Sequence, residues 1–320
     1  MNKSAIRNFS TRARRKLIED IMQKAYGLGI RDKDHYEEIE VFEGGFEVKN
    51  ALVPTRFNDI SGNVRKNREK LIHQIEVKGF QQVMEEMAYT WFNRIVAIRY
   101  MEVNGYLPIN TRVLSSASST KIEPDILTEI YEHAEKLKLD KNRVFELKES
   151  NQSDQLYKEI FIRICNMLGD IMPHVFEKIT DYTELLLPDN LLAIGSVIRD
   201  LVTTVDEDDF KEEVEIIGWM YQFYISEKKD EVLSKPKGQK YTKEEIPAVT
   251  QLFTPKWIVK YMTENSLGRL WQESHPNDDL KKSWEYYIEP APQEEEVQNK
   301  LEALKNPNLS PEDIKVIDPA

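Results

Sequence analysis

The sequence predicts a mainly α-helical fold that carries one small β-hairpin. Between residues 80 and 103, apolar side chains recur at positions i, i+3, i+4 and i+7, which is typical of a helix buried along one broad face. Residues 4–26 show a similar period, and the Gly27-Leu28-Gly29 sequence that follows is typical of a helix end. Around Gly44-Gly45, apolar and acidic residues alternate over residues 38–48, which predicts two short antiparallel strands.

Composition limits the class of protein. The 320 residues suffice for one large or two ordinary domains, and a hydrophobic share of 40% is enough for a real core. The net charge of −12 argues against nucleic-acid binding by the whole surface. No apolar run approaches the roughly 18 residues that a membrane helix needs, so we expect no membrane span. The single cysteine, Cys165, forms no internal disulfide and fits a cytoplasmic location, and the scattered histidines predict no metal site.

Further helices are predicted from the same period and from capping residues. Ser61 is a candidate N-cap for the second helix, and Asp189 or Asn190 for a later one that ends near Leu201. The acidic run 206–209 precedes a helical pattern, so we interpret it as cap and helix-dipole chemistry rather than a metal site. Apart from the helix ending near Leu201, the predicted helices are 4–26, 61–75, 80–103, 125–137, 154–170, 210–227 and 295–304.

A dense basic cluster lies in the first helix. Its spacing is compatible with an ordinary solvated helix face, and also with contact to a nucleic-acid backbone or to an acidic partner. The candidate DNA-binding residues are Arg7, Arg12, Arg14, Arg15 and Lys16.

The chain divides into three predicted segments. Residues 1–228 form a helical domain with the small hairpin. Residues 229–247 are polar, contain Lys-Pro-Lys-Gly, and are typical of an exposed linker. Residues 248–320 begin a second domain.

The stretch 250–262, TQLFTPKWIVKYM, combines a capped helix start with possible ligand-binding residues. We expect Thr254 to be the N-cap and Pro255 the first helical residue, with Ile258, Val259, Met262 and Leu267 facing inward. A helix N-terminus suits an anion, and Gln251 and Phe253 lie just upstream. Spacing alone favours the simpler interpretation, an ordinary capped helix with Phe253 in the core.

The last residues, 314–320 (IKVIDPA), are predicted to form a buried strand that ends in Asp318. In open α/β sheets, ligands lie outside the carboxyl ends of the strands, and a glycine turn normally follows. Because the sequence stops at Ala320, we expect the chain to be the N-terminal part of a longer protein.

Three segments together resemble the N-terminal part of the PglX-type adenine-specific DNA methyltransferases of bacteriophage-exclusion (BREX) systems. The segments are NKSAIRNFSTRARRKLIEDIMQKAYGLGI (2–30), TQLFTPKWIVKYMTENSLGRLW (250–271) and IKVIDPA (314–320). The resemblance implies that residues 248–320 are the start of an α/β domain dependent on S-adenosylmethionine (SAM). It also implies double-stranded DNA and other BREX proteins as partners. The cofactor-binding residues that it implies are Gln251, Phe253, Thr254, Pro255, Asp318, Pro319 and Ala320.

The sequence also departs from that family. Transfer of a methyl group to adenine N6 requires acceptors for the amine hydrogens and an aromatic ring against the flipped base, which an Asn/Asp-Pro-Pro-Tyr/Phe motif supplies. The 320 residues contain no such motif, so no catalytic residue is assigned and we expect this chain alone to be inactive. The alternative is a non-enzymatic helical module that docks partner proteins or the DNA backbone.

Overall fold

The computed structural model describes residues 1–317 except 33, 50–54, 59–61, 119, 174–175, 177–181, 212–213 and 237. The backbone divides into two compact units, Met1–Gln251 and Leu252–Ala320, which we call the first unit and the second unit. The predicted division into 1–228, 229–247 and 248–320 stays a prediction.

Two long helices form the centre of the first unit. Helix α1 is Lys3–Gly27 and helix α3 is Phe80–Val103, as the period predicts. Helix α1 begins where the Asn2 side chain accepts a hydrogen bond from the Ala5 amide, an ordinary N-cap. Beyond its end, Gly29 has a φ of 73°, and a Cβ there would lie 2.5 Å from Val48. A glycine is therefore required where the chain leaves the helix.

The remaining helices of the first unit surround this pair. Helix α1 packs against α3 and against α8 (Val197–Thr204) and α9 (Glu215–Tyr224). The apolar stripe predicted for α3 is buried, and Trp91 and Phe92 are completely covered. The other helices of this unit are α2 (Asn63–Lys78), α4 (Asp125–His133), α5 (Lys141–Glu149), α6 (Ser153–Ile171), α7 (Tyr182–Leu185), α10 (Ser226–Leu233) and α11 (Ile246–Thr250).

The predicted hairpin is confirmed, and it carries a third strand. Strands β3 (Ile39–Phe42) and β4 (Gly45–Val48) pair antiparallel, and β5 (Arg56–Asn58) pairs with the other edge of β4. Phe46 and Phe57 stack across β4 and β5 with their ring centroids 4.9 Å apart. A separate two-stranded ladder joins β1 (Ile30–Asp32) to β2 (His35–Tyr36). Strand β5 was not predicted because three residues are too short to show an alternating pattern.

Two predicted helix starts in the first unit are wrong. The helix expected after Asp189 or Asn190 begins only at Val197, where the Ser196 hydroxyl accepts a hydrogen bond from the Arg199 amide. Asn190 itself has a left-handed φ of 57°, so the chain turns there instead of entering a helix.

The helix expected from residue 210 begins at Glu215. The acidic run before it forms a short 3₁₀ turn, Glu207–Asp209, which Asp206 caps as a side-chain acceptor. The predicted cap Ser61 lies outside the described residues, and α2 follows Gly62.

The second unit contains short helices. Helix α12 (Lys256–Thr263) continues through a π-helical turn, Glu264–Gly268, into α13 (Arg269–Ser274). Helix α14 (Asp278–Lys282) and the correctly predicted α15 (Glu295–Leu304) follow. None of the described helices in either unit has the length and apolar character needed to cross a membrane.

The buried terminal strand is a wrong prediction as far as the chain is described. Residues 314–317 form no strand, and Val316 and Ile317 are 78% and 86% exposed. A strand needs a neighbour for its backbone hydrogen bonds, and the described part of the second unit contains no other strand. Apolar residues alone therefore do not make this segment a strand.

Candidate cofactor site

The predicted cofactor stretch is extended backbone that leads into α12. Gln251 has a ψ of 115° and Pro255 a ψ of 143°, so helical geometry begins only after the proline. Phe253 and Pro255 are half-buried, whereas Thr254 is exposed. The Thr254 side chain therefore remains accessible to a ligand.

The predicted cap of α12 is displaced by one residue. Pro255 is the N-cap, and α12 has no side-chain cap hydrogen bond, so Thr254 does not perform the role that we expected. The Ile258 amide donates instead to the Pro255 carbonyl over 2.9 Å. The extended ψ of Pro255 moves the helix start and places Thr254 too far upstream to reach the first free amides.

The inward face predicted for α12 is also wrong. Val259 and Met262 are exposed, and no residue of α12 is buried. Trp257 packs only loosely against Tyr286, with ring centroids 6.5 Å apart. This helix therefore presents apolar side chains to solvent within the second unit.

Side chains of the π-helical turn form hydrogen bonds with the backbone of the segment that follows α14. The Glu264 carboxylate accepts from the Tyr286 amide at 2.6 Å. The Asn265 amide donates to the Tyr286 carbonyl at 2.7 Å and accepts from the Ile288 amide at 2.8 Å. A Cβ on Gly268 would meet the Trp284 ring at 3.1 Å. These contacts fix the segment after α14 against a π turn, an element frequent at functional sites.

Gln251 belongs to the first unit and lies against an aromatic side chain. A hydrogen bond joins its side chain to that of Tyr89. Burial raises the pKa of Tyr89, and hydrogen bonds from Gln251 and Asn93 partly offset this rise. Both Gln251 and Tyr89 line a cavity of about 470 Å³.

The second unit has an apolar cavity of about 390 Å³ of its own, lined by Leu267, Trp271, Trp284 and Ile314 among others. Phe253, Thr254 and Pro255 are not among the described residues that line it. Asp318, Pro319 and Ala320 lie outside the described residues. The expectation that these terminal residues and the stretch 251–255 form one cofactor site stays a prediction.

The basic cluster of α1 is engaged in contacts within the first unit. Arg12 pairs with Asp200 at 2.9 Å, Lys16 with Asp20 at 2.5 Å, and Arg15 with Glu227. Arg14 lies 3.5 Å from Glu85 and 3.7 Å from Glu227. Arg7 covers the ring of Phe223 at 4.8 Å from its centroid.

These cations differ in their access to solvent. The side chain of Arg14 is only 13% exposed, whereas those of Arg12 and Arg15 are 54% and 72% exposed. Arg14 therefore joins helices, and the other two arginines are the more accessible to a partner.

A buried polar network was missed by the sequence-based prediction. The Glu102 side chain is completely buried and accepts from the amides of Val113 and Leu114 at 2.5 and 2.6 Å. Its other oxygen accepts from Ser115 and from Arg99, each at 2.6 Å. The Arg99 to Glu102 spacing on an apolar helix was the available signal. The partners of Glu102 in the loop 113–115 could not be inferred from the sequence near it.

Glu207 extends this network. It accepts from Arg112 at 2.6 and 2.7 Å and from Arg99 at 3.3 Å. The bidentate contact with Arg112 lowers the pKa of the Glu207 carboxyl. Glu207 therefore holds Arg112 and the adjoining loop 113–115 in place, so the acidic run does more than cap a turn.

Comparison with known proteins identifies relatives of the whole chain. No protein-family model matches it. The chain is 42% identical over 322 aligned residues to the adenine-specific methyltransferase BrxX of Escherichia coli O9:H4 (strain HS), and all of the chain is matched. It is 37% identical over 348 aligned residues to the adenine-specific methyltransferase PglX of Lacticaseibacillus casei (strain Zhang), again over all of the chain. The chain covers 26% and 28% of these two relatives. The resemblance inferred from the sequence is thereby confirmed: over its whole length the chain is homologous to about a quarter of the BrxX and PglX adenine-specific methyltransferases.

Proposed function

We propose that this chain is part of a SAM-dependent adenine-N6 DNA methyltransferase that acts in a BREX system. Similarity over all of the chain to two adenine-specific methyltransferases carries this proposal. The helical first unit precedes the catalytic domain, and contacts with other BREX proteins belong to the same proposal.

Within that protein, Gln251, Phe253, Thr254 and Pro255 line SAM from one side. The exposed Thr254 hydroxyl and the half-buried Phe253 ring support this assignment, because they offer a hydrogen bond and an apolar surface. Asp318, Pro319 and Ala320 begin the main cofactor loop. The chemical step belongs to residues that this chain does not contain, since it lacks the Asn/Asp-Pro-Pro-Tyr/Phe motif.

Thr254→Ala tests the cofactor assignment in a protein of the relatives' length that carries this chain. Thr254 makes no cap hydrogen bond to α12, so the substitution leaves the fold intact. We expect SAM affinity, measured by isothermal titration, to fall about 5-fold, which corresponds to one lost hydrogen bond. The matched control is Thr263→Ala, which removes a threonine hydroxyl at the far end of α12. Equal affinities for all three proteins would remove Thr254 from the cofactor site.

Within the basic cluster of α1, we assign the proposed DNA contact to Arg12 and Arg15. Their ion pairs lie at the surface and contribute little to stability, so a phosphate competes with Asp200 and Glu227 at small cost. Arg14 instead joins α1 to α3 through Glu85 and to α10 through Glu227, so it is a poor probe of DNA contact.

The double variant Arg12→Ala, Arg15→Ala tests this contact. We expect weaker binding of the longer protein to duplex DNA, with the slope of log affinity against log salt reduced by about 1.8 because about 0.9 is lost for each phosphate contact. The control is the double variant Arg143→Ala, Lys211→Ala, which removes two exposed cations elsewhere in the first unit. An unchanged slope in the first variant would exclude the contact.

A further inference from the structure

The three-stranded sheet of the first unit has a free edge at β3. Strand β3 pairs with β4 on one side, and no described residue pairs with its other side. An edge strand with free backbone groups is a template onto which a further strand can add. The residues on and beside β3 decide which side chains an added strand would need.

The register of β3 on β4 shows which backbone groups point outward. The Lys49 amide donates to the Glu38 carbonyl over 2.7 Å, so these two residues are a hydrogen-bonded pair. Hydrogen-bonded and non-hydrogen-bonded pairs alternate along an antiparallel ladder, so the pairs that Ile39 and Val41 make with β4 are of the second kind. The amide and carbonyl groups of Ile39 and Val41 therefore point away from β4, to the free edge.

Apolar side chains form a row across the sheet that ends at this edge. Phe57 of β5, Phe46 of β4 and Val41 of β3 lie opposite one another in turn. The Phe46 side chain is completely buried, whereas Val41 is 53% exposed. Side chains directly opposite each other on neighbouring strands are within contact range. An apolar residue in the next strand, opposite Val41, would therefore cover apolar surface that is now in water.

A charged row on the other face of the sheet ends at the same edge. Arg56 of β5, Glu47 of β4 and Glu40 of β3 lie opposite one another in turn. The Arg56 guanidinium meets the Glu47 carboxylate at 2.7 Å, whereas Glu40 forms no ion pair with a described residue. Like charges directly opposite each other are destabilising, so a cation in the next strand, opposite Glu40, would balance the row.

Further acids make the whole edge negative. Glu38 and Glu43 are exposed on either side of β3, and neither forms an ion pair with a described residue. A second copy of this chain is a poor occupant, because its own edge would bring the same carboxylates to the same place. A basic strand is favoured instead, since opposite charges on neighbouring strands attract each other.

We propose that the free edge of β3 binds an extended protein segment in which apolar and basic residues alternate. The segment adds to the sheet antiparallel to β3, with main-chain hydrogen bonds to Ile39 and Val41. Its apolar side chains lie against these two residues, and its basic side chains lie opposite Glu38 and Glu40. The surface consists of β3, β4 and β5 alone and does not depend on the proposed methyltransferase function.

Titration of the 320-residue chain with a capped, fluorescently labelled Lys-Val-Lys-Val-Lys peptide tests this surface. The peptide places valines opposite Ile39 and Val41 and lysines opposite Glu38 and Glu40. We expect saturable binding by fluorescence anisotropy. The matched Glu-Val-Glu-Val-Glu peptide should bind at least about 5-fold more weakly, because surface attractions are replaced by repulsions.

N-methylated peptides test whether the contact is a strand addition. In an antiparallel pair, the valine amides donate to the carbonyls of Ile39 and Val41, whereas the central lysine amide points to solvent. We expect N-methylation of both valines to weaken binding at least about 10-fold, since two hydrogen bonds are lost. N-methylation of the central lysine should change the affinity by less than about 2-fold, since no hydrogen bond to β3 is lost. Equal effects of the two modifications would exclude strand addition.

The double variant Glu38→Lys, Glu40→Lys tests the charge pattern. Both side chains are exposed, so we expect the fold to persist, with thermal unfolding as the check. The affinity for the lysine peptide should fall at least about 5-fold, and the glutamate peptide should bind more tightly than it does to the unchanged chain. The matched control is Glu132→Lys, Glu135→Lys, which reverses two exposed acids in and just beyond α4 and should leave both affinities unchanged.

Absence of saturable binding by the lysine peptide would overturn the proposal, since the acids would then only protect the edge from pairing. Equal affinities of the lysine and glutamate peptides, or of the charge-reversed and unchanged chains, would exclude recognition by charge and overturn it as well. Dimerisation of the chain that the lysine peptide reverses, measured by analytical ultracentrifugation, would assign the edge to a second copy instead.

Discussion

Glu102→Ala is expected to lower the free energy of unfolding of the first unit by about 3–5 kcal/mol, the usual cost of removing one partner of a buried ion pair. Arg99 is 2% exposed in its side chain and would lose its nearest carboxylate. The amides of Val113 and Leu114 would lose their acceptor at the same time. The loss is large because the groups left behind are cut off from water.

The measurement is urea unfolding, with hydrogen exchange in peptides of α1 and α3 reporting on the first unit alone. The control is Glu146→Ala, which removes a surface carboxylate paired with Arg143 at 3.8 Å. Such surface pairs contribute at most about 1 kcal/mol. Similar small losses for both variants would show that Glu102 does not organise the loop 113–115.

Trp91→Ala is expected to destabilise the first unit by about 3–5 kcal/mol, since it empties the volume of a large buried ring. Trp91 is completely buried on α3, its ring centroid lies 6.1 Å from that of Phe161 on α6, and Arg94 covers its face at 5.0 Å. The substitution therefore removes contacts of α3 with a second helix as well as the apolar transfer energy.

The same urea and hydrogen-exchange experiment measures this loss. Tyr106→Ala serves as the control, because Tyr106 lies just beyond α3 and its ring is exposed. Its ring centroid is 6.2 Å from that of Tyr100. We expect a change of less than about 1 kcal/mol for the control. Equal effects of the two variants would contradict the central place of α3 in the core.

The parts of the fold that were predicted correctly depend on local patterns. The apolar stripe of α3 repeats over 24 residues, and α15 was placed correctly from its own short sequence. The Gly44-Gly45 pair and its flanking alternation determined the hairpin of β3 and β4. In each case the residues that decide the conformation are neighbours in the chain.

The parts that were not predicted depend on distant partners. Glu102 is satisfied by a loop more than ten residues away and its partner Arg99 by Glu207, across about a third of the chain. The terminal residues Val316 and Ile317 looked like a strand, but a strand also requires a neighbouring strand. The start of α12 depended on the ψ angle of Pro255, which the residue type alone does not fix.

The candidate site shows the same limit. The sequence singled out Gln251, and the structure adds Tyr89 and Tyr224, which are far from it in the chain. Both tyrosines are largely covered. Only the packing of α3, α9 and α11 shows that they also line a cavity.

The proposed adenine-N6 methyltransferase activity is tested by measuring methyl transfer from labelled SAM to duplex DNA by a protein of the relatives' length that carries this chain. We expect labelled N6-methyladenine from the longer protein, and no labelled product from the 320-residue chain under the same conditions. Methylation of another base by the longer protein, or adenine methylation by the 320-residue chain alone, would contradict it.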